Sequence, residues 1–129
     1  MLFRSETRVS MMPAFGKDQM LTDAEIGDVV AYVKGLSSGT AASQQTKAGE
    51  TLFADNCAAC HGADAKGDPT AGAPNLTDNR WIYGGDVQTI YTTVWDGRQG
   101  RMPTWEARLL PVERKILTLY LVDLMSANP

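Results

Sequence analysis

Both cysteines and the single histidine of this 129-residue chain lie in one pentapeptide, Cys57-Ala58-Ala59-Cys60-His61. Two thiols three positions apart can each form a thioether with a vinyl group of one haem, and the next residue then lies beneath the iron. A domain of this size has a limited core, to which a large buried cofactor would add much. The motif therefore predicts one covalent haem c, with His61 as an axial iron ligand.

Two other kinds of site use the same cysteine spacing. A redox dithiol of the thioredoxin type needs a surrounding βαβ unit, which the sequence lacks. A structural zinc site needs four ligands, and the motif offers three that are too crowded for a tetrahedron. The sequence therefore favours haem attachment.

Charge and hydropathy exclude other classes of function. The net charge is −3 and no basic stripe exists, so we expect no nucleic-acid partner. The longest apolar run, Val29 to Val33, is far shorter than the ~20 residues that span a bilayer. No secretory signal is recognisable, although a covalent haem requires export.

Composition divides the chain into three sections. Residues 1–36 end in a helix, residues 37–45 are small and polar as in a flexible linker, and residues 46–129 form a complete domain. Helices are predicted over 23–36, where Thr22 and Glu25 form a capping box, over 47–56, from the N-cap Asp86 to about Trp95, and from Pro111 onward. Residues 62–79 are rich in Gly, Pro and Asp and predict a loop. No convincing strand occurs, so the predicted fold class is all-α.

An internal repeat links the two ends of the chain. Met12-Pro13-Ala14-Phe15 and its following helix match Met102-Pro103-Thr104-Trp105 and the terminal helix, the helices at an offset of 88 residues. No cysteine or histidine precedes the first copy. The chain is thus interpreted as the tail of one domain followed by a whole second domain.

The sixth position of the iron is predicted to hold the sulfur of Met102. Pro103 stiffens the backbone there, and Gly100 permits close approach to the ring. The alternative is a methionine that fills a gap in the core. A thioether ligand favours reduced iron, and six-coordination leaves no substrate site, which indicates an electron carrier rather than an enzyme. A ligating imidazole usually donates its other N–H to a carbonyl, and the candidate acceptor is that of Pro74.

Three arginines lie around this methionine: Arg98, Arg101 and Arg108. One interpretation is a solvated loop surface. The other is that at least one of them, Arg98 first, pairs with a haem propionate or an acidic partner. The sequence leaves both open.

These residues resemble a small class I cytochrome c through Gly49-x-x-x-Phe53-x-x-x-Cys57-x-x-Cys60-His61-Gly62 with later Pro74, Met102 and Tyr120. The resemblance implies that the first and last helices of the domain cross, with Gly49 and Phe53 against Leu117 and Tyr120.

Residues 46–129 resemble more closely the second haem domain of the dihaem subunit of cbb3-type cytochrome c oxidases. The matching segments are Ala73-Pro74-Asn75-Leu76-Thr77-Asp78, Trp81-Ile82-Tyr83-Gly84-Gly85 and Gly97-Arg98-x-Gly100-x-Met102-Pro103-x-Trp105. Glu106 departs from the family, which often has glycine there.

This closer resemblance has implications for the rest of the chain. It implies that Met12 is the axial methionine of a first domain whose Cys-x-x-Cys-His and membrane helix are missing here, so the chain is expected to be a truncated piece of a membrane-anchored protein. It also implies residence on the periplasmic face of a bacterial inner membrane. The implied partners are other cytochrome c domains and membrane oxidase subunits.

Two rival functions remain. A haem-based gas sensor or peroxidase-like enzyme would need the methionine displaced, and no second histidine is available to assist at the iron. A cytochrome domain serving a periplasmic dehydrogenase would keep the electron transfer but change the partner.

The helix predicted over 23–36 carries Ile26, Val29, Val30, Val33 and Leu36 on one side. Burying such side chains contributes roughly 1.5–3 kcal/mol each. We therefore expect residues 1–36 to dock on residues 46–129 or to pair with the same segment of a second chain in a homodimer. The alternative is disorder, since a lone helix of this length is marginal in water.

Overall fold

The computed structural model describes residues 10–40, 44–100 and 103–127. The elements are β1 (Met11–Met12), α1 (Asp23–Ser38), α2 (Gln44–Asn56), α3 (Ala58–His61), α4 (Val87–Asp96), β2 (Arg98–Gln99) and α5 (Pro111–Ala127). The all-α class is confirmed, with the addition of a two-stranded sheet that the sequence did not predict. Arg101 and Met102 lie outside the described residues.

Helix α1 begins where its predicted capping box lies. The Thr22 hydroxyl accepts a hydrogen bond from the Glu25 backbone N–H, and the Glu25 carboxylate accepts one from the Thr22 N–H at 2.8 Å. These bonds satisfy amide groups that the first turn of a helix leaves unpaired. The Thr22 N–H and the Thr22 hydroxyl both donate to the Glu25 carboxylate, which lowers the pKa of Glu25 because these bonds favour the charged form. The helix ends at Gly39, whose left-handed conformation suits glycine.

Helix α1 packs across α2 with its apolar side inward. Ile26, Val29, Val30 and Val33 are buried, and the Tyr32 ring lies 5.4 Å from the Phe53 ring, centroid to centroid. The helices approach most closely at Gly49, where an added Cβ would collide with the Asp28 carbonyl and the Tyr32 side chain. Glycine at this position therefore allows the crossing.

The segment before α1 is fastened to α4. The Phe15 N–H donates to the Val94 carbonyl, and the buried Phe15 side chain joins the core. The Tyr91 hydroxyl donates to the Asp23 carboxylate at 2.9 Å, which raises the pKa of Tyr91. The docking expected for residues 1–36 is therefore present for their described part, residues 10–36.

The resemblance implied that the last helix would cross α2, and the structure differs. Leu117 and Tyr120 are 47 % and 58 % exposed, and Gly49 and Phe53 meet α1 instead. The physical reason is that α1 carries the same pattern of apolar residues and a tyrosine at the matching position. An α2 surface that accepts one copy can accept the other.

The segment predicted as a linker is shorter than expected. Helix α1 continues to Ser38 and α2 begins at Gln44, so both ends of 37–45 are helical. The Ser37 and Ser38 hydroxyls each donate to the Lys34 carbonyl, which gives these polar residues partners inside the last turn.

Candidate haem attachment site

The end of α2 positions the Cys-x-x-Cys-His motif. The Cys57 N–H donates to the Phe53 carbonyl at 2.8 Å, and the His61 N–H then donates to the Cys57 carbonyl at 2.9 Å. The motif therefore forms one helical turn, in which Cys57 is the N-cap of α3 and His61 is its last residue. Positions three and four apart share a helix face, so Cys60 and His61 follow Cys57 on the same side of this turn.

The two thiols are free but lie in different surroundings. Cys57 is buried and belongs to the core with Phe53, whereas Cys60 is exposed. Burial raises the pKa of the Cys57 thiol to about 11, and the nearby Cys60 adds to the shift. The Cys57 thiol is therefore protonated at neutral pH, and no disulfide joins the pair.

The imidazole of His61 is oriented by the loop that follows it. Its Nδ1 lies 3.1 Å from the Pro74 carbonyl oxygen, the contact that the sequence analysis expected. A carbonyl can only accept, so this bond places the ring proton on Nδ1. Nε2 then carries the lone pair with which an imidazole binds a metal.

The loop over residues 62–79 holds that carbonyl in place. The Gly67 N–H donates to the His61 carbonyl at 2.7 Å, and Asp68 and Ala73 exchange backbone hydrogen bonds at 3.0 Å. Gly67 has a positive φ of 83°, and an added Cβ would collide with the Ala73 and Pro74 backbone. The loop therefore closes tightly behind the histidine despite having no helix or strand.

Arg98 is fixed by two neighbours. Its Nε and Nη2 donate to the Thr93 hydroxyl at 3.1 and 2.9 Å, and its Cζ lies 4.1 Å above the centre of the Tyr83 ring. Because of these contacts, Arg98 is not a freely solvated side chain on the loop surface. A guanidinium carries five N–H groups, so donors remain beyond those used by Thr93. Arg108 lies instead over Trp105, at 5.4 Å.

Sequence reasoning placed Met12 with another domain, and the structure brings it here. Met12 pairs with Arg98 in the small sheet and is half-buried against the core that contains Phe53 and Cys57. The Met12 carbonyl also lies against Gly97, where an added Cβ would collide with it. The repeated Met-Pro sequence was the available signal for this placement.

The donor set fits a covalent haem. Two free thiols and an imidazole with a free Nε2 lie on one helical turn, as the attachment chemistry requires. Among the described residues, no three His, Cys, Asp or Glu side chains cluster as metal ligands. In the same part of the chain, no helix is long and apolar enough to cross a bilayer.

Comparison with known proteins gives a consistent result. Residues 44–121 match the family described as cytochrome C oxidase, cbb3-type, subunit III. The chain is 48 % identical over 120 residues to the cbb3-type cytochrome c oxidase subunit FixP of a Bradyrhizobium species, covering 92 % of this chain and 41 % of that protein.

Two further relatives carry the name CcoP. The subunit of Cereibacter sphaeroides is 46 % identical over 115 residues, covering 89 % of this chain and 40 % of the relative. A subunit of Rhodobacter capsulatus is 53 % identical over 97 residues, covering 75 % of this chain and 33 % of the relative. The chain thus spans about two fifths or less of the curated relatives that it matches.

Proposed function

Because the chain belongs to the family of cytochrome c oxidase, cbb3-type, subunit III, we propose that it carries one haem c and passes electrons to a cbb3-type oxidase. The observation that carries this proposal is the hydrogen bond between His61 Nδ1 and the Pro74 carbonyl, next to two free thiols. That bond frees Nε2 for the iron. Bound haem would supply reversible one-electron transfer between ferrous and ferric iron.

The motif residues have separate roles in this proposal. Cys57 and Cys60 bind the haem edge through thioethers, one from inside the core and one from the surface. His61 ligates the iron through Nε2, and the Pro74 carbonyl fixes the plane and the tautomer of the ring. The hydrogen bond that the Nδ1–H donates to the Pro74 carbonyl also makes Nε2 a more basic ligand.

A methionine sulfur is proposed for the sixth position, and the sequence assigns it to Met102. With both axial positions filled, no substrate reaches the iron, and the chain acts as an electron carrier with no catalysis of its own. Any oxygen reduction would then belong to partner subunits.

Arg98 is proposed to bind a haem propionate. Support comes from its fixed position, since Thr93 and Tyr83 hold the guanidinium while part of its N–H groups remain available. A charge-assisted bond from a fixed arginine loses little side-chain entropy. The proposed domain division follows the sequence: residues 1–36 from a preceding cytochrome domain, the connector 37–45, and a haem domain over 46–129.

The partners and location are also proposals. The relatives are named as subunits of cbb3-type oxidases, and the chain corresponds to less than half of each. We propose that the parent protein is anchored on the periplasmic face of a bacterial inner membrane. There the haem would take electrons from other cytochrome c domains and deliver them to the membrane oxidase subunits.

Haem attachment is tested on protein made with the haem-attachment machinery present. After denaturation and organic extraction, the haem should stay with the polypeptide, and mass spectrometry should show the added mass of one haem. Cys57→Ala and Cys60→Ala should each leave a single thioether, whereas Ala59→Ser, an exposed position between them, should leave both. Extraction of the haem from the unchanged chain would contradict the proposal.

The rival gas-binding function is tested on the same protein. The reduced form should show no spectral change on addition of carbon monoxide, because both axial positions are filled. A new carbon monoxide spectrum would favour a sensor or peroxidase-like role. Electron transfer to a purified cbb3-type oxidase, compared with a periplasmic dehydrogenase, would then identify the partner.

A further inference from the structure

Helices α1 and α5 are copies of one pattern. Aligned at an offset of 88 residues, the matched pairs are Glu25 and Glu113, Val29 and Leu117, Tyr32 and Tyr120, Val33 and Leu121, and Leu36 and Leu124. A Met-Pro pair precedes each helix. We call residues 10–38 the first cover segment and residues 103–127 the second cover segment.

Only the first cover segment lies on α2 and α4 in the described part of the chain. Val29 of this segment is 1 % exposed, and its Tyr32 packs on Phe53 of α2. The matching Leu117 of the second cover segment is 47 % exposed. Because α1 fills the close approach at Gly49, α5 cannot occupy that surface at the same time.

The composition of the two faces explains which segment is docked. The positions of α1 that are buried are Ile26, Val29, Val30 and Val33, all aliphatic. Their counterparts in α5 include Arg114 in place of Ile26 and Thr118 in place of Val30. Burying a guanidinium and a hydroxyl costs free energy that two aliphatic side chains do not. The first cover segment is therefore the better match for α2.

The docked segment is also held at its N-terminal end. Met12 pairs with Arg98 in the sheet and packs against the core that contains Cys57. Its carbonyl lies against Gly97, where an added Cβ would collide with it. The first cover segment is therefore fastened both through α1 and through β1.

We propose that the two cover segments compete for one face of residues 44–100. The competition concerns the polypeptide alone, so its test does not depend on the proposed haem function.

Hydrogen exchange on the full chain tests the competition. In the unchanged chain, amides 26–33 should be protected and amides 116–121 should exchange freely. Val29→Glu places a charge in the buried interface, so protection of 26–33 should fall about 100-fold or more and that of 116–121 should rise. Leu117→Glu should change neither. Val122→Lys is the control, because Val122 matches Lys34, which is already charged.

Two exchange results would overturn the competition. One is that 116–121 stay unprotected in Val29→Glu, whether or not residues 44–100 remain folded. The other is that 116–121 are already protected on α2 in the unchanged chain.

The proposed function and the competition fail separately. If no haem becomes covalently attached to the unchanged chain, the proposed function fails, while hydrogen exchange still decides the competition.

Discussion

Replacing Gly49 with alanine tests the helix crossing on which the fold depends. An added Cβ would meet the Asp28 carbonyl carbon and oxygen and the Tyr32 Cβ. Two of these atoms are backbone, which cannot rotate away, so α1 must move off α2.

The expected magnitude combines two opposed effects. Alanine in a helix interior is favoured over glycine by about 1 kcal/mol. Overpacking costs about 1–3 kcal/mol, and separating the helices uncovers part of an aliphatic face at about 25 cal/mol per Å². The collision outweighs the propensity, and we expect Gly49→Ala to lower the free energy of unfolding by about 1–3 kcal/mol.

Urea unfolding followed by circular dichroism gives the measurement, and Gly27→Ala is the matched control. Gly27 is also inside a helix, but an added Cβ would meet nothing within 4 Å. That variant should gain about 0.5–1 kcal/mol from propensity alone. If Gly49→Ala proves as stable as the unchanged chain, the close approach of α1 and α2 is wrong.

Three further predictions follow from buried and capping groups. In protein made without haem, the Cys57 thiol should react with an alkylating reagent at least about 100-fold more slowly than the exposed Cys60 thiol. The reason is that a pKa of about 11 leaves little Cys57 thiolate at pH 8. Equal rates would contradict the burial of Cys57. Ile26→Ala should lower the free energy of unfolding by about 2–4 kcal/mol. The control Ile116→Ala, at a 59 % exposed position, should change it by less than about 0.5 kcal/mol. Similar losses for both variants in urea unfolding would refute the packing of α1. Hydrogen bonds from the Thr89 hydroxyl and N–H lower the pKa of Asp86. The stability that these bonds provide is present above the ordinary pKa of 3.8 and is lost as the pH falls through the lowered value. Asp86→Ala should therefore weaken the dependence of the unfolding free energy on pH in that range. An unchanged acid profile would argue against the cap.

The sequence alone determined the features that depend on neighbouring residues. The capping box at Thr22, the helix start at Asp86 and the terminal helix from Pro111 all form as predicted. The turn that carries Cys57 and His61 was not predicted, but it is equally local, because its hydrogen bonds join residues three and four apart. Such interactions are specified within a few residues, so reading a short window suffices.

The contact between His61 and Pro74 could be predicted from the sequence for a different reason. A ligating histidine needs a carbonyl for its second nitrogen, and the loop after the motif offered few rigid candidates. The chemistry of the site therefore limited the choice. The contact itself requires the tight closure of the loop at Gly67, which the structure supplies.

Tertiary structure alone decided which helix covers α2. Periodicity identifies a face to be buried but does not name its partner, and α1 and α5 share that periodicity. The choice depends on a difference between whole interfaces, in which Arg114 and Thr118 oppose the burial of α5. The positions of Met12 and Arg98 accompany that choice, because the small sheet pairs them where the first cover segment is docked. A competition between two distant segments for one surface is decided by packing, and packing is visible only in three dimensions.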